Sequence, residues 1–235
     1  ERSTRGGGRG RPGVSEGLLI LDFDGTLCLG DAPVIAYATE VARSLGHPER
    51  SIQEPLEAFL GGVSDGPFAG SADGYGAVAQ WAREHGLGEQ ELSEAYLRSR
   101  ATLDFGELEV SIPPGITDFL GGFRDWDRVL VTNAPRVRAL GLAPHLDRVI
   151  GDAGKPAGLR ALTAEGAELD TARWQRLLSV GDIWRNDLEP VADRAATALI
   201  ERHPQPRARP TFRAAVIETL YGDLAHWRTA SPTTA

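Results

Sequence analysis

The stretch GLLILDFDGTL, residues 17–27, decides how the rest of the chain is read. Leu18, Leu19, Ile20 and Leu21 follow one another without polar alternation, the pattern of a strand covered on both faces in a parallel sheet. Such strands present their chemistry beyond the carboxyl end. Here that end carries Asp22 and Asp24, two apart and therefore projecting to the same side of extended backbone. Gly25 and Thr26 then permit a tight turn. Acids that merely cap a strand end are the ordinary alternative. Two of them in an apolar run are costly without a purpose, so the pair is taken as functional.

Working outward, comparable apolar runs recur at DRVLVTNAP (127–135), LLSVGD (177–182) and TALIE (197–201), with a weaker one at DRVIGD (147–152). Helical segments are predicted between and after them, at 115–123, 157–165, 187–195 and 211–220. Strand alternating with helix predicts an α/β fold with a doubly wound parallel sheet. Residues 31–111 break the alternation. They contain no convincing strand and read as four helices, near 32–46, 51–60, 73–86 and 89–103. A parallel crossover needs only about a dozen residues, so this interval is an inserted α-helical domain. The core then comprises 17–30 and 112–230. Within the insertion, the glycine-rich GGVSDGPFAGSADGYG (61–76) reads as a plain interhelical loop, with a specificity loop facing the site as the alternative. The arginines Arg43, Arg83, Arg98 and Arg100 are read as solvated. Residues 1–16, rich in glycine and arginine, predict a disordered tail.

The chain has 235 residues, 41% hydrophobic and 25% charged, as expected of a folded soluble protein. A formal net charge of −8 argues against nucleic acid as a partner. No apolar run approaches the roughly 20 residues that span a bilayer, and the N-terminus lacks the apolar centre of a signal peptide. Cys28, the single cysteine, excludes an internal disulfide and fits a reducing, cytoplasmic setting. It is read as a small core residue. Of 25 lysines and arginines, Lys155 alone is lysine. A general drift toward arginine leaves that one ammonium to be explained. Its segment GDAGKP lacks the glycine spacing of a P-loop, and Pro156 stands where a P-loop has its Ser or Thr.

Four polar clusters thus follow four strands: Asp22 and Asp24, then Thr132 and Asn133, then Lys155, then Asp182 and Asp187 with Asn186 beside the latter. If they converge, carboxylates 4–5 Å apart repel by about 3–4 kcal/mol per pair at an effective dielectric near 20. A divalent cation and one ammonium would answer most of that repulsion. Carboxylate oxygens alone select magnesium, Mg2+, over zinc or copper. An ammonium is a compact charge that can face several oxygens at once, where a planar guanidinium would need a different pocket. Lys155 would therefore bridge a carboxylate and a phosphoryl oxygen.

DFDGTL, VTNA, GKP and GDIWRND, in that order, resemble the four motifs of the haloacid dehalogenase-like (HAD) hydrolase superfamily. The helical interval is similar, by position and helicity, to the cap of the subgroup that includes phosphoglycolate phosphatase and β-phosphoglucomutase. The resemblance spans the chain apart from residues 1–16. It implies a Rossmann-like core, an aspartyl-phosphate mechanism and Mg2+. Asp22 would be the nucleophile and Asp24 the acid that protonates the leaving oxygen and later activates water. Thr132, supported by Asn133, would bind the phosphoryl group, and Lys155 would balance its charge in flight. Asp22, the Asp24 carbonyl and Asp182 would hold the metal, with Asp187 binding through water or orienting the site. Asn186 would stand behind them.

Within that family, Asp24 argues against carbon–halogen hydrolysis, whose branch lacks an acid at this spacing and needs no metal. The lone lysine argues against phosphonate cleavage, which uses a second lysine from the cap. What remains is hydrolysis of a small phosphorylated metabolite, with phosphosugar mutase as the alternative. A non-catalytic phosphate-binding or regulatory protein is the minor alternative. The sequence sets neither the metabolite nor the oligomeric state.

Overall fold

The computed structural model describes residues 15–63, 65–104, 106–135 and 140–230. The tail expected over 1–16 lies outside them apart from Ser15 and Glu16, which bond to the carbonyl of Asp125 and so join the core.

Strand β1 (Gly17–Leu21) is buried along its whole length, as its unbroken apolar run requires. Leu19 and Leu21 enter one hydrophobic cluster, and Leu18 and Ile20 enter another on the opposite face. Each leucine so buried contributes about 1.5–3 kcal/mol relative to exposure. The sheet adds β2 (Asp127–Val131), β3 (Arg148–Ile150), β4 (Arg176–Gly181), β5 (Ala196–Ile200) and β6 (Phe212–Ala214). All neighbours are parallel, in the order β3-β2-β1-β4-β5-β6. The order reverses direction between β1 and β4, where an open α/β sheet has its crevice. The doubly wound sheet is therefore as the sequence predicts.

Between β1 and β2 lie four helices, α1 (Ala32–Leu45), α2 (Arg50–Leu60), α3 (Gly74–Glu84) and α4 (Glu89–Asp104). They enclose a hydrophobic cluster of their own, built around Ile52, Leu56, Val78 and Trp81. Tyr37, Tyr75 and Tyr96 pack together at its edge, with ring centroids 5.6–5.9 Å apart. The 61–76 loop anchors Phe68 in this cluster, and its Asp73 caps α3 by accepting from the Gly76 N–H at 2.6 Å. The insertion meets the core through the loop after β5. Arg202 there holds Asp31 with both guanidinium arms, and His203 stacks on Phe59 at 4.2 Å. Helices α5 (Ile116–Gly122), α6 (Ala157–Thr163) and α7 (Tyr221–Thr229) flank the sheet.

Two helical expectations fail. Residues 187–195 form no α-helix: a π turn covers Trp184–Leu188 and a 3-10 turn Glu189–Val191. The Asp187 carboxylate accepts from the Ile183 N–H at 2.9 Å, and Ser179 Oγ donates to the Asp187 carbonyl at 2.8 Å. These bonds compete with the helical ladder. Residues 211–220 begin with strand β6, followed by a 3-10 turn over Ile217–Leu220. The backbone N–H groups of Thr197 and Thr211 each donate to the other's hydroxyl oxygen at 3.1 Å, aligning β6 on β5.

Candidate active site

The carboxyl ends of β1, β2 and β4 open onto one cavity of about 980 Å3, walled on its other side by the helical insertion. Asp22 follows β1, Thr132 follows β2 and Asp182 follows β4. The β1–β4 ladder continues past the strands as the Asp22 N–H donates to the Val180 carbonyl at 2.9 Å. Pairing of these two strands brings Asp22 and Asp182 side by side.

Carboxylate oxygens of Asp22, Asp182 and Asp187 lie within 4.8 Å of one another. At that separation each charged pair repels by about 3.5 kcal/mol at an effective dielectric near 20. Lys155 answers part of this. Its Nζ donates to Asp22 Oδ1 at 2.5 Å and to Asp187 Oδ1 at 2.6 Å, with only 4% of the side chain exposed. Burial alone would lower the lysine pKa, but Asp22 and Asp187 outweigh it and hold the ammonium charged well above its ordinary range. Residual repulsion shows in the acids. Burial, then the charges of Asp22 and Asp187, raise the Asp182 carboxyl well above the usual range. Burial and Asp22 raise Asp187 to about 7 against the pull of Lys155. The cluster is thus one cation short, and its donors are all carboxylate oxygens. That chemistry fits a hard divalent metal ion, held by Asp22, Asp182 and Asp187.

Two glycines make this convergence possible. Gly25 has φ +80, and a Cβ there would come within 2.3 Å of Asp182 Oδ2. At Gly181 a Cβ would meet that of Asp187 at 2.4 Å.

The remaining expected residues also surround the cavity. Thr132 is buried, with Oγ1 accepting from the Ala134 N–H at 3.1 Å, so its hydroxyl proton is free to be donated. Asn133 Oδ1 accepts from the Lys155 N–H at 2.7 Å and fixes the lysine's loop. Asn186 lines the cavity beside Asp187. Asp24 points elsewhere than the three-acid cluster: its Oδ1 accepts from Arg100 Nη1 at 2.9 Å. Burial raises the Asp24 carboxyl, Arg100 pulls it back, and Asp22 adds to the rise. Cys28 is buried with its thiol pushed up to about 12, chiefly by burial, consistent with a core residue.

Arg100 corrects one expectation. It is buried rather than solvated, whereas Arg43, Arg83 and Arg98 make exposed ion pairs with Glu40 or Glu89. The signal lay in the helix period: Leu92, Tyr96 and Arg100 are four apart and share the inward face of α4. Further supporting residues had no such signal. Thr26 Oγ1 donates to Asp22 Oδ2 at 3.2 Å. Gln205 Nε2 donates to the Asp182 carbonyl at 2.7 Å while its Oε1 accepts from the Trp184 N–H at 2.8 Å. Glycine- and proline-flanked loop residues of this kind are placed by the sheet, not by local pattern.

No protein-family model matches the chain, and no curated protein matches it. Solved structures do. A protein from Haemophilus somnus described as a "predicted phosphoglycolate phosphatase" is similar at TM-score 0.56 and 16% identity, over 89% of this chain and 96% of that one. The HAD-hydrolase YfnB from Bacillus subtilis, bound to magnesium, is similar at TM-score 0.54 and 19% identity, over 88% and 97%. The 2-haloacid dehalogenase of Pseudomonas syringae is similar at TM-score 0.50 and 19% identity, over 89% and 98%. The six-stranded parallel sheet with its flanking helices accords with these likenesses, and the chain has the fold of the haloacid dehalogenase-like hydrolases.

Proposed function

We propose that this protein is a magnesium-dependent phosphatase that hydrolyses a small phosphorylated metabolite through an aspartyl-phosphate on Asp22. The carrying observation is Lys155, whose Nζ bridges Asp22 and Asp187 beside the third acid, Asp182. An ammonium within a carboxylate cluster one cation short suits a site for a phosphoryl group and Mg2+.

In this reading an Asp22 oxygen attacks phosphorus in line, and the bond from phosphorus to the ester oxygen breaks. The Asp24 carboxyl gives its proton to that departing oxygen. The resulting Asp24 carboxylate then takes a proton from water as the water oxygen attacks phosphorus. The bond to Asp22 breaks, and inorganic phosphate and the free carboxylate are restored. Thr132 donates to a phosphoryl oxygen, and Lys155 balances the charge that develops as phosphorus passes from ester oxygen to Asp22. Asp22, Asp182 and Asp187 would hold Mg2+, which when bound would supply positive charge that eases the approach of the anionic nucleophile to the anionic ester. The Asp24 backbone carbonyl adjoins these ligands in sequence and is a further candidate.

The four inserted helices act as a cap over the cavity, excluding water from the first step and admitting small metabolites rather than phosphoproteins. The fold is shared by phosphatases and dehalogenases, so it does not choose the chemistry. Asp24 favours ester hydrolysis, because an alkoxide leaving group needs a proton and a halide does not.

The test is phosphate release from a panel of phosphorylated metabolites, with and without Mg2+, by the wild type and Asp22→Asn. Magnesium-dependent release abolished by the substitution is the expected result. Release that survives it, or folded protein inactive on every ester, would overturn the proposal.

A further inference from the structure

The insertion contributes one buried charge to the site, and no step above uses it. Arg100, on the inward face of α4, is 5% exposed in its side chain. Burying a guanidinium is costly unless its donors are met. Here Nη1 donates to Asp24 Oδ1 at 2.9 Å and to the Tyr75 hydroxyl at 3.1 Å, while the guanidinium lies over the Tyr96 ring, 5.8 Å from its centroid. Tyr75 and Tyr96 belong to the insertion and Asp24 to the core. The arginine is therefore anchored by one unit and directs its hydrogen bond at the other.

We propose that Arg100 is a positioning residue that aims Asp24 at the leaving oxygen. This rests on the reading of Asp24 as the proton donor. A guanidinium can only donate, so the oxygen it holds, Oδ1, must accept. A proton carried by Asp24 then sits on Oδ2, which has no protein partner among the described residues of a side chain that lines the cavity. Arg100 thus fixes both the rotamer of the carboxyl and the oxygen that bears the proton. The contact exists only while α4 is seated against the turn after β1. Delivery of the proton is tied to the insertion's place over the cavity, which would keep water out at that moment.

A leaving group that needs no proton separates aiming from general support of the fold. Turnover of an alkyl ester such as glycerol phosphate is compared with that of p-nitrophenyl phosphate, whose leaving group departs as a stable anion. Positioned acids contribute about 10²–10⁴-fold, so Arg100→Gln is expected to lower kcat/KM for the alkyl ester by about 10–100-fold; kcat/KM is compared because it reports transfer to Asp22 and not the water step, which both esters share. The aryl ester falls by less than about threefold, Arg100→Lys recovers part of the alkyl loss, and adding Arg100→Gln to Asp24→Asn changes the ratio little. If Arg100→Gln does not fold, Tyr75→Phe, which removes the anchor and keeps the charge, is put through the same comparison. Equal losses on both esters, or none, overturn the inference while Asp22-dependent hydrolysis stands. Absence of any Asp22-dependent hydrolysis overturns this inference and the reading beneath it.

Discussion

Replacing Lys155 with methionine removes the internal cation and keeps an unbranched side chain one atom shorter. In the metal-free protein Asp22, Asp182 and Asp187 would then face one another within 4.8 Å with no ammonium between them. Each lost contact is a charge pair at 2.5 or 2.6 Å between side chains no more than 8% exposed. Part of that attraction is offset by the lysine's own desolvation, and breaking a buried pair by deleting one partner leaves a net loss of about 3–5 kcal/mol. The loss depends on pH. Asp187 is raised to about 7 even with Lys155 present, so the native state holds its proton where the unfolded chain, near 3.8, has released it. Native stability therefore declines as pH rises between those values, and without the ammonium the decline is steeper and extends further. Lys155 itself, raised above 10.5, contributes fully at pH 8. Urea unfolding with chelator is expected to show a deficit of about 3–5 kcal/mol at pH 8 that shrinks at pH 5.5 as the acids protonate. Saturating Mg2+ should return more stability to the variant than to the wild type. Lys155→Arg should recover less than half of the deficit, because a planar fork does not fit between two carboxylates spaced for one nitrogen. A variant within about 1 kcal/mol of wild type at pH 8, or a deficit that grows on acidification, would refute the electrostatic account.

Two further outcomes can be checked on the same samples. The chelated wild-type protein should gain stability as pH falls from 8 toward 5.5, since Asp182 and Asp187 are both raised, and Mg2+ should flatten that slope; a chelated protein indifferent to pH in this window would contradict it. Gly25→Ala places a Cβ at φ +80 within 2.3 Å of Asp182 Oδ2, so calorimetric titration should show Mg2+ affinity at least about tenfold weaker, with about 1–2 kcal/mol lost from backbone strain. Unchanged affinity would mean that Asp182 is not pinned where the turn places it.

How much of this was legible in the chain differs by element. The β1 run was readable because both its faces are buried, a condition that four consecutive apolar residues report directly. The acids and the lysine were readable because each follows a strand, and parallel strands send their carboxyl ends to one edge. The four inserted helices followed from length and period. β6 was not readable: three residues long, it is a strand because β5 offers it a ladder, and its own composition says little. The turn over Trp184–Leu188 was misread because side-chain bonds from Asp187 and Ser179 override helical propensity.

The sequence by itself determined which groups are present: one ammonium, the acids at strand ends, and the helices between the first two strands. Only the tertiary structure decided how they meet. Pairing of β1 with β4 sets Asp22 beside Asp182, and Lys155 closes on Asp22 across 133 positions of chain. Arg100 reaches Asp24 from 76 positions away because α4 packs along α1, which starts just after the first motif. Local pattern reports the period of one element and the face it buries. The partner met across that face depends on sheet order and helix packing, which join residues too distant in sequence for any short-range signal to carry.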